Sequence, residues 1–168
     1  MLASRVGNIP GAVGRQWNGI ATTCHFATVF WLFWDEFNRP PTQNDFLTIG
    51  DPTLVVRRML PLGKKLGRPR AGGLILTPGS IVVFVHNGQP VHSCVAITAN
   101  TLGGYNQAGW FTGPGVDHGY SVHDTSEIRW RGGMLHGDDV QGNVGQWCRL
   151  TVIGEQPAKA IIRQIVQG

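Results

Sequence analysis

The sequence predicts an α+β fold, with helices in its first half and an antiparallel sheet in its second. Three observations predict it. An apolar run from Phe26 to Phe37 is long enough for a buried helix. The stretch Ser80-Ile-Val-Val-Phe-Val-His86 is rich in β-branched residues and is followed by Asn87-Gly88, the dipeptide that favours a tight hairpin. Twenty-four glycines and ten prolines in 168 residues demand many turns, which suits short strands better than a helical bundle.

The elements follow in order. Residues 15–20 read as a loop into the first helix, Thr23 to Phe37, capped by Thr22 or Thr23 because a hydroxyl accepts from a free first-turn N–H. Arg39-Pro40-Pro41 stops that helix. Thr42 to Asp45 has the pattern of a capping box and opens a short helix. Asp51-Pro52 sets an N-cap and a first-turn proline, with Leu54, Val55, Met59 and Leu60 at helical spacing behind it. The stretch 61–73 is predicted as a loop. After Pro78-Gly79 and the strand to His86, the hairpin returns through Val91 to Ile97. Asn100 to Gly104 reads as a turn and Tyr105 to Phe111 as the next strand. Residues 112–146 are Gly-rich and show one short strand signal near Ile128–Trp130. Gln146 to Ile153 is predicted as a late strand and Pro157 to Val166 as a terminal helix.

Composition narrows the function classes. One domain spanning 1–168 is expected, since 42% hydrophobic content supports a core and 14% charge argues against disorder. The net charge of +4 is densest at Lys64, Lys65, Arg68 and Arg70. No aromatic residues interleave there, so a solvated loop is expected and no nucleic-acid partner. Asp35 and Glu36 interrupt the apolar run, which is too short to span a bilayer, so no membrane partner is expected either. Met1 to Gly14 carries Arg5, Gly7, Pro10 and Gly11 in place of the apolar core of a Sec signal. Cys24, Cys94 and Cys148 are odd in number and widely spaced, which gives no disulfide framework and no metal pair.

Cys24 is the leading candidate for chemistry. Thr22-Thr23-Cys24 puts a thiol in the first turn of a helix, where unpaired N–H groups and the helix dipole favour the thiolate and can receive an oxyanion. His92 follows on a strand, sharing a face with Cys94 and Ala96, while Val91, Ser93, Val95 and Ile97 take the other. If the next strand pairs across the Asn100–Gly104 turn, Asn106 lies near His92 and orients its ring. Gln16, upstream of Cys24, is placed to donate its amide to an oxyanion. His25 projects away around the helix and is a poor base, and Cys94 reads as core. Asp117-His118 and His123-Asp124 have some metal-ligand character without the helical or cysteine spacing of a zinc site. Asp117 and Asp124 are alternatives to Asn106 as the third member, and His118 and His123 are alternatives to His92.

The order Gln16, Cys24, His92, Asn106 resembles that of the papain-like cysteine hydrolases: oxyanion glutamine, nucleophile, base, orienting residue. Asn106-Gln-Ala-Gly-Trp110 is similar to that superfamily's asparagine followed closely by tryptophan. The Pro78-Gly79-Ser80-Ile-Val-Val-Phe run looks like its compact bacterial branch, which includes peptidoglycan amidases. The likeness covers roughly Gln16 to Phe111. Cys24 stands outside the Cys-Gly-Ser-Cys-Trp signature of papain proper, and the interval to His92 is shorter than in full-length papain. The resemblance implies a papain-like fold, a nucleophile helix packed on the sheet, and a cysteine protease with a Cys-His-Asn triad and no cofactor. It further implies a bacterial effector or toxin domain, delivered to a target cell's cytoplasm, with a protein substrate and a cognate immunity protein as inhibitor. A peptidoglycan amidase or endopeptidase, a glutamine deamidase, a transglutaminase and a catalytically silent binding module remain alternatives on the same fold.

Overall fold

A computed structural model describes residues 1–8, 23–67, 74–106, 110–111, 119–131, 134–137 and 146–168. The chain is a mixture of helices and antiparallel sheet, the α+β class expected. The helices are α1 (Leu2–Asn8), α2 (Cys24–Phe37), α3 (Gln43–Ile49), α4 (Pro52–Met59) and α5 (Glu155–Gln167). The strands are β1 (Lys64–Leu66), β2 (Ile81–His86), β3 (Gln89–Ala96), β4 (Thr101–Asn106), β5 (Gly119–Asp124), β6 (Trp130–Arg131), β7 (Met134–Gly137) and β8 (Gln146–Ile153). They form one sheet in the order β5-β4-β3-β2-β8-β7-β6, with β1 also paired to β8.

The capping chemistry is as expected. The Thr23 hydroxyl accepts from Phe26 N–H, Thr42 and Asp45 close a reciprocal box, and Asp51 accepts from Thr53 N–H ahead of Pro52. Asn87 and Gly88 turn the β2–β3 hairpin with φ of 49° and 75°, the left-handed pair that a two-residue turn of this type needs.

The sheet is buried on both faces. Ile81, Val83, Val95 and Ile153 meet the helices, chiefly Phe30, Trp31 and Phe33 of α2, Val56 and Met59 of α4 and Ile162 of α5. Val82, Phe84, Cys94, Ala96, Cys148 and Leu150 face the other way, onto Leu74, Leu76, Trp110, Phe111 and Ile128. Each fully buried side chain of this size contributes about 1.5–3 kcal/mol. Asp35 and Glu36 end α2 in ion pairs. Asp35 binds Lys159, and Arg5 at 3.2 Å, while Glu36 accepts from Arg163 at 2.6 Å. The acids that interrupt the apolar run therefore lock α2 to α1 and α5.

Two expectations are corrected, and the short strand signal near Ile128–Trp130 is met. The strand after the hairpin is Thr101–Asn106, so the predicted turn at Asn100–Gly104 holds most of β4. Gly103 is there for close approach: a Cβ would stand 2.5 Å from Ile97 Cδ1 and 3.1 Å from Val6 Cγ1. The predicted loop at 61–73 contains β1, whose Lys64–Leu66 is stabilised by pairing with β8 and has no local strand signal. Near Ile128–Trp130 the chain makes a bridge from Ile128 to Phe111 and then β6 at Trp130.

Candidate functional site

Cys24 is the first residue of α2, half-buried, with Thr23 as its cap. Beneath it lies a polar cluster between helix and strand. Thr28 Oγ1 donates to the Cys24 carbonyl at 3.0 Å and lies 2.9 Å from Ser93 Oγ. His25 Nδ1 is 2.8 Å from Ser93 Oγ, and His25 Nε2 is 3.2 Å from the Pro90 carbonyl oxygen. His25 is thus a tie from α2 to β3 and is directed away from the Cys24 sulfur, as its position around the helix predicts.

The Cys24 thiol itself is pushed above the ordinary range by burial, against which the main-chain N–H groups of Ser93, His25 and Cys24 favour the thiolate. Burial thus opposes the dipole and the donors at this helix start, and it is the larger of the two effects. The Ser93 N–H is the informative partner. The β3–β4 ladder is formed at Val95–Gly103 and Ala96–Leu102. Beyond it β3 continues beside β2 and β4 continues beside β5, as far as Asn106 opposite Gly119. Ser93 lies past the last β3–β4 pair, so its main chain is at the fork between the two strands. Cys24 meets β3 at that fork.

His92, next to Ser93 in the chain, is 2% exposed. Its ring is edge-on to Phe84 at 5.0 Å and parallel to Trp110 at 6.2 Å. Strand alternation turns Ser93 and Val95 toward α2 and His92 and Cys94 toward the opposite face. Cys24 and His92 therefore approach the fork from different faces of the sheet. The β3–β4 pairing ends at Val95–Gly103, so Asn106, three residues further along β4 and opposite Gly119, stands on the other arm of the fork from His92. Asn106 is the last residue of β4; its side chain, like Gln16, Asp117 and His118, lies outside the described residues.

The remaining candidates are engaged elsewhere. Cys94 is fully buried, its thiol pushed far up by burial and further by the nearby Cys24. Asp124 caps the turn after β5, accepting from Ser126 N–H at 2.8 Å, a bond that holds its carboxyl below the ordinary range. His123 Nε2 stands 2.9 Å from Ser121 Oγ and Nδ1 3.2 Å from Glu127 Oε2, with its ring stacked on Phe111 at 4.4 Å. No group of three or more His, Cys, Asp or Glu is arranged to hold a metal among the described residues. Nor is any described helix long and apolar enough to cross a membrane.

Sequence reasoning missed the Ser93 N–H and the Ser93–Thr28–His25 cluster under Cys24. The spacing of His25 and Thr28 on one helix stripe is the signal that could have found it. Compared with protein-family models, curated proteins and solved structures, the chain matches none.

Proposed function

We propose that this protein is a cysteine hydrolase of papain-like type, with Cys24 as nucleophile, His92 as base and Asn106 as orienting residue. The observation that carries the reading is the β3–β4 fork. Cys24 begins a helix there, with its sulfur at the Ser93 N–H, next to His92 in the chain, and Asn106 ends β4 on the other arm of the fork.

In the proposed reaction the Cys24 sulfur attacks an amide carbonyl as His92 takes the thiol proton. His92 returns that proton to the leaving amine, leaving a thioester. Water, deprotonated by His92, then releases the acid and restores the thiol. The Cys24 N–H and the Gln16 amide take the oxyanion. A thiol raised by burial fits proton transfer during attack better than a preformed thiolate–imidazolium pair. In this reading the substrate is a protein, the chain serves as a bacterial effector or toxin domain in a target-cell cytoplasm, and a cognate immunity protein covers the cleft.

Mass spectrometry of candidate proteins and of peptidoglycan, incubated with wild type, Cys24→Ala and His92→Ala, tests it. A chain cleaved by wild type alone supports the protease. An amide-to-acid shift of about 1 Da, as –NH2 is exchanged for –OH and ammonia leaves, identifies a deamidase. Released muropeptides identify an amidase.

One observation favours a second reading, a catalytically silent binding module: the His92 ring lies among Phe84, Trp110 and Phe111 on the face opposite α2. Equal behaviour of wild type and both variants in every assay selects it.

A further inference from the structure

A cavity of about 470 Å³ opens on the helix-bearing face of the sheet, across β1, β8 and β2. Its volume falls in the range of sites that hold a ligand of several side chains' size. The register explains how it is lined. Arg149 is opposite Val85, and Lys65 is opposite Thr151. Arg149 and Thr151 are two residues apart on β8 and share a face, so Lys65 and Arg149 are diagonal neighbours, their Cα atoms roughly 7–8 Å apart. Val85 gives the cavity an apolar floor, Leu60 and Pro61 form one wall, and the Asn87–Gly88 turn forms a rim.

The charges are unbalanced. Arg5, Arg39, Lys159 and Arg163 each meet a carboxylate, but among the described residues the side chains of Lys65 and Arg149 have neither an ion pair nor a hydrogen bond. Two like charges side by side on a sheet repel, and an anion between them would relieve the repulsion. The apolar floor and wall would be poorly used by a small hydrated anion. They suit a carboxylate carried on an aliphatic body. β1 adds a reason for a polypeptide: among the described strands it pairs with β8 alone, and an extended peptide is the partner that such a strand can take.

We infer that this cavity binds an acidic peptide segment, with a Glu or Asp carboxylate between Lys65 and Arg149 and neighbouring apolar side chains against Val85, Leu60 and Pro61. The site is independent of the reading of Cys24. It lies one strand from the start of α2, since Val85 pairs with Pro90, whose carbonyl holds His25.

Fluorescence polarisation with labelled acetyl-Leu-Glu-Leu-Glu-Leu-amide and its Gln counterpart tests the site on the whole chain. The Glu peptide should bind tighter by about tenfold or more at low salt, the scale of one charge-assisted hydrogen bond, and the gap should shrink at high salt. Lys65→Gln and Arg149→Gln should each remove most of the gap. Lys64→Gln, whose side chain alternates to the other face of β1, should keep it, and so should Cys24→Ala. Equal binding of the two peptides would overturn the site, as would an equal loss in Lys64→Gln. So would inorganic phosphate that saturates the protein, followed by NMR shifts, and displaces the peptide as well as free Glu peptide does: that result would mark a small-anion site.

Discussion

His25 Nε2 stands 3.2 Å from the main-chain oxygen of Pro90, and a carbonyl can only accept, so the proton of a neutral His25 is on Nε2. Nδ1 is then an acceptor, and the Ser93 hydroxyl, 2.8 Å away, donates to it. With its proton spent there, Ser93 Oγ has only acceptor capacity left, while Thr28 spends its own hydroxyl proton on the Cys24 carbonyl. The residue next to Cys24 is thus fixed in one tautomer by the strand it ties down.

That tie predicts a pH dependence. Burial, chiefly, lowers the His25 pKa below its ordinary value, with the Pro90 carbonyl and Asp51 opposing. A base whose folded pKa is depressed binds more protons when unfolded. Its contribution is therefore present above the unfolded value, about 6.5, and is lost as pH falls from there toward the folded value. Melting temperature should drop with acidification through this window in wild type and drop less steeply in His25→Gln. Parallel profiles would show that His25 does not stay neutral in the fold.

Thiol labelling should rank the three cysteines by exposure. Cys24 is half-buried, whereas Cys94 and Cys148 are fully buried, with Cys148 pushed up to about 12 by burial. Iodoacetamide should modify Cys24 first. Its rate should rise with pH through a midpoint above that of a model-peptide cysteine run alongside, because burial raises the thiol. A midpoint below the peptide's would reveal a His92–Cys24 ion pair and the preformed thiolate that the resting structure argues against.

The Asp35–Lys159 pair should be costly to break singly. Burial opposes the Asp35 carboxylate, but Lys159 and Arg5 hold its pKa below the ordinary range, and Lys159 is held above its own. The carboxylate's contribution is present above its unfolded pKa of about 3.9 and lost as pH falls through the folded value. The lysine's is present below about 10.4 and lost as pH rises through its folded value. Asp35→Asn should cost about 3–5 kcal/mol in urea unfolding by leaving a buried ammonium with less compensation. Asp35→Asn with Lys159→Met should cost less than the single change, and a larger loss in the double variant would rule out this origin.

Gly103 carries a packing prediction. Gly103→Ala would force its Cβ onto Ile97 Cδ1, so unfolding free energy should fall by about 1–3 kcal/mol. Ile97→Val removes that methyl and should recover part of the loss in the double variant. Strict additivity of the two changes would place the cost elsewhere.

Local chemistry was legible in the sequence. Thr23, Thr42 and Asp51 cap the helices they were expected to cap, Asn87-Gly88 turns the hairpin, and Gln146 to Ile153 is a strand with those same ends. These features are decided by residues within a few positions of one another: a hydroxyl reaching its own first turn, or a glycine taking positive φ. The alternation that puts His92 with Cys94 and apart from Ser93 is likewise a local property of any strand. Tertiary packing decided the rest. Gly103 and Gly104 read as turn residues until α1 is seen packed on β4, and Lys64–Leu66 becomes a strand only because β8 offers it an edge. The Cys24 pKa goes the same way. The sequence shows the helix start that favours a thiolate, but burial against β3, a contact between residues far apart in the chain, sets the balance toward the thiol. Electrostatic cost depends on how much water is removed, and only the folded chain determines that.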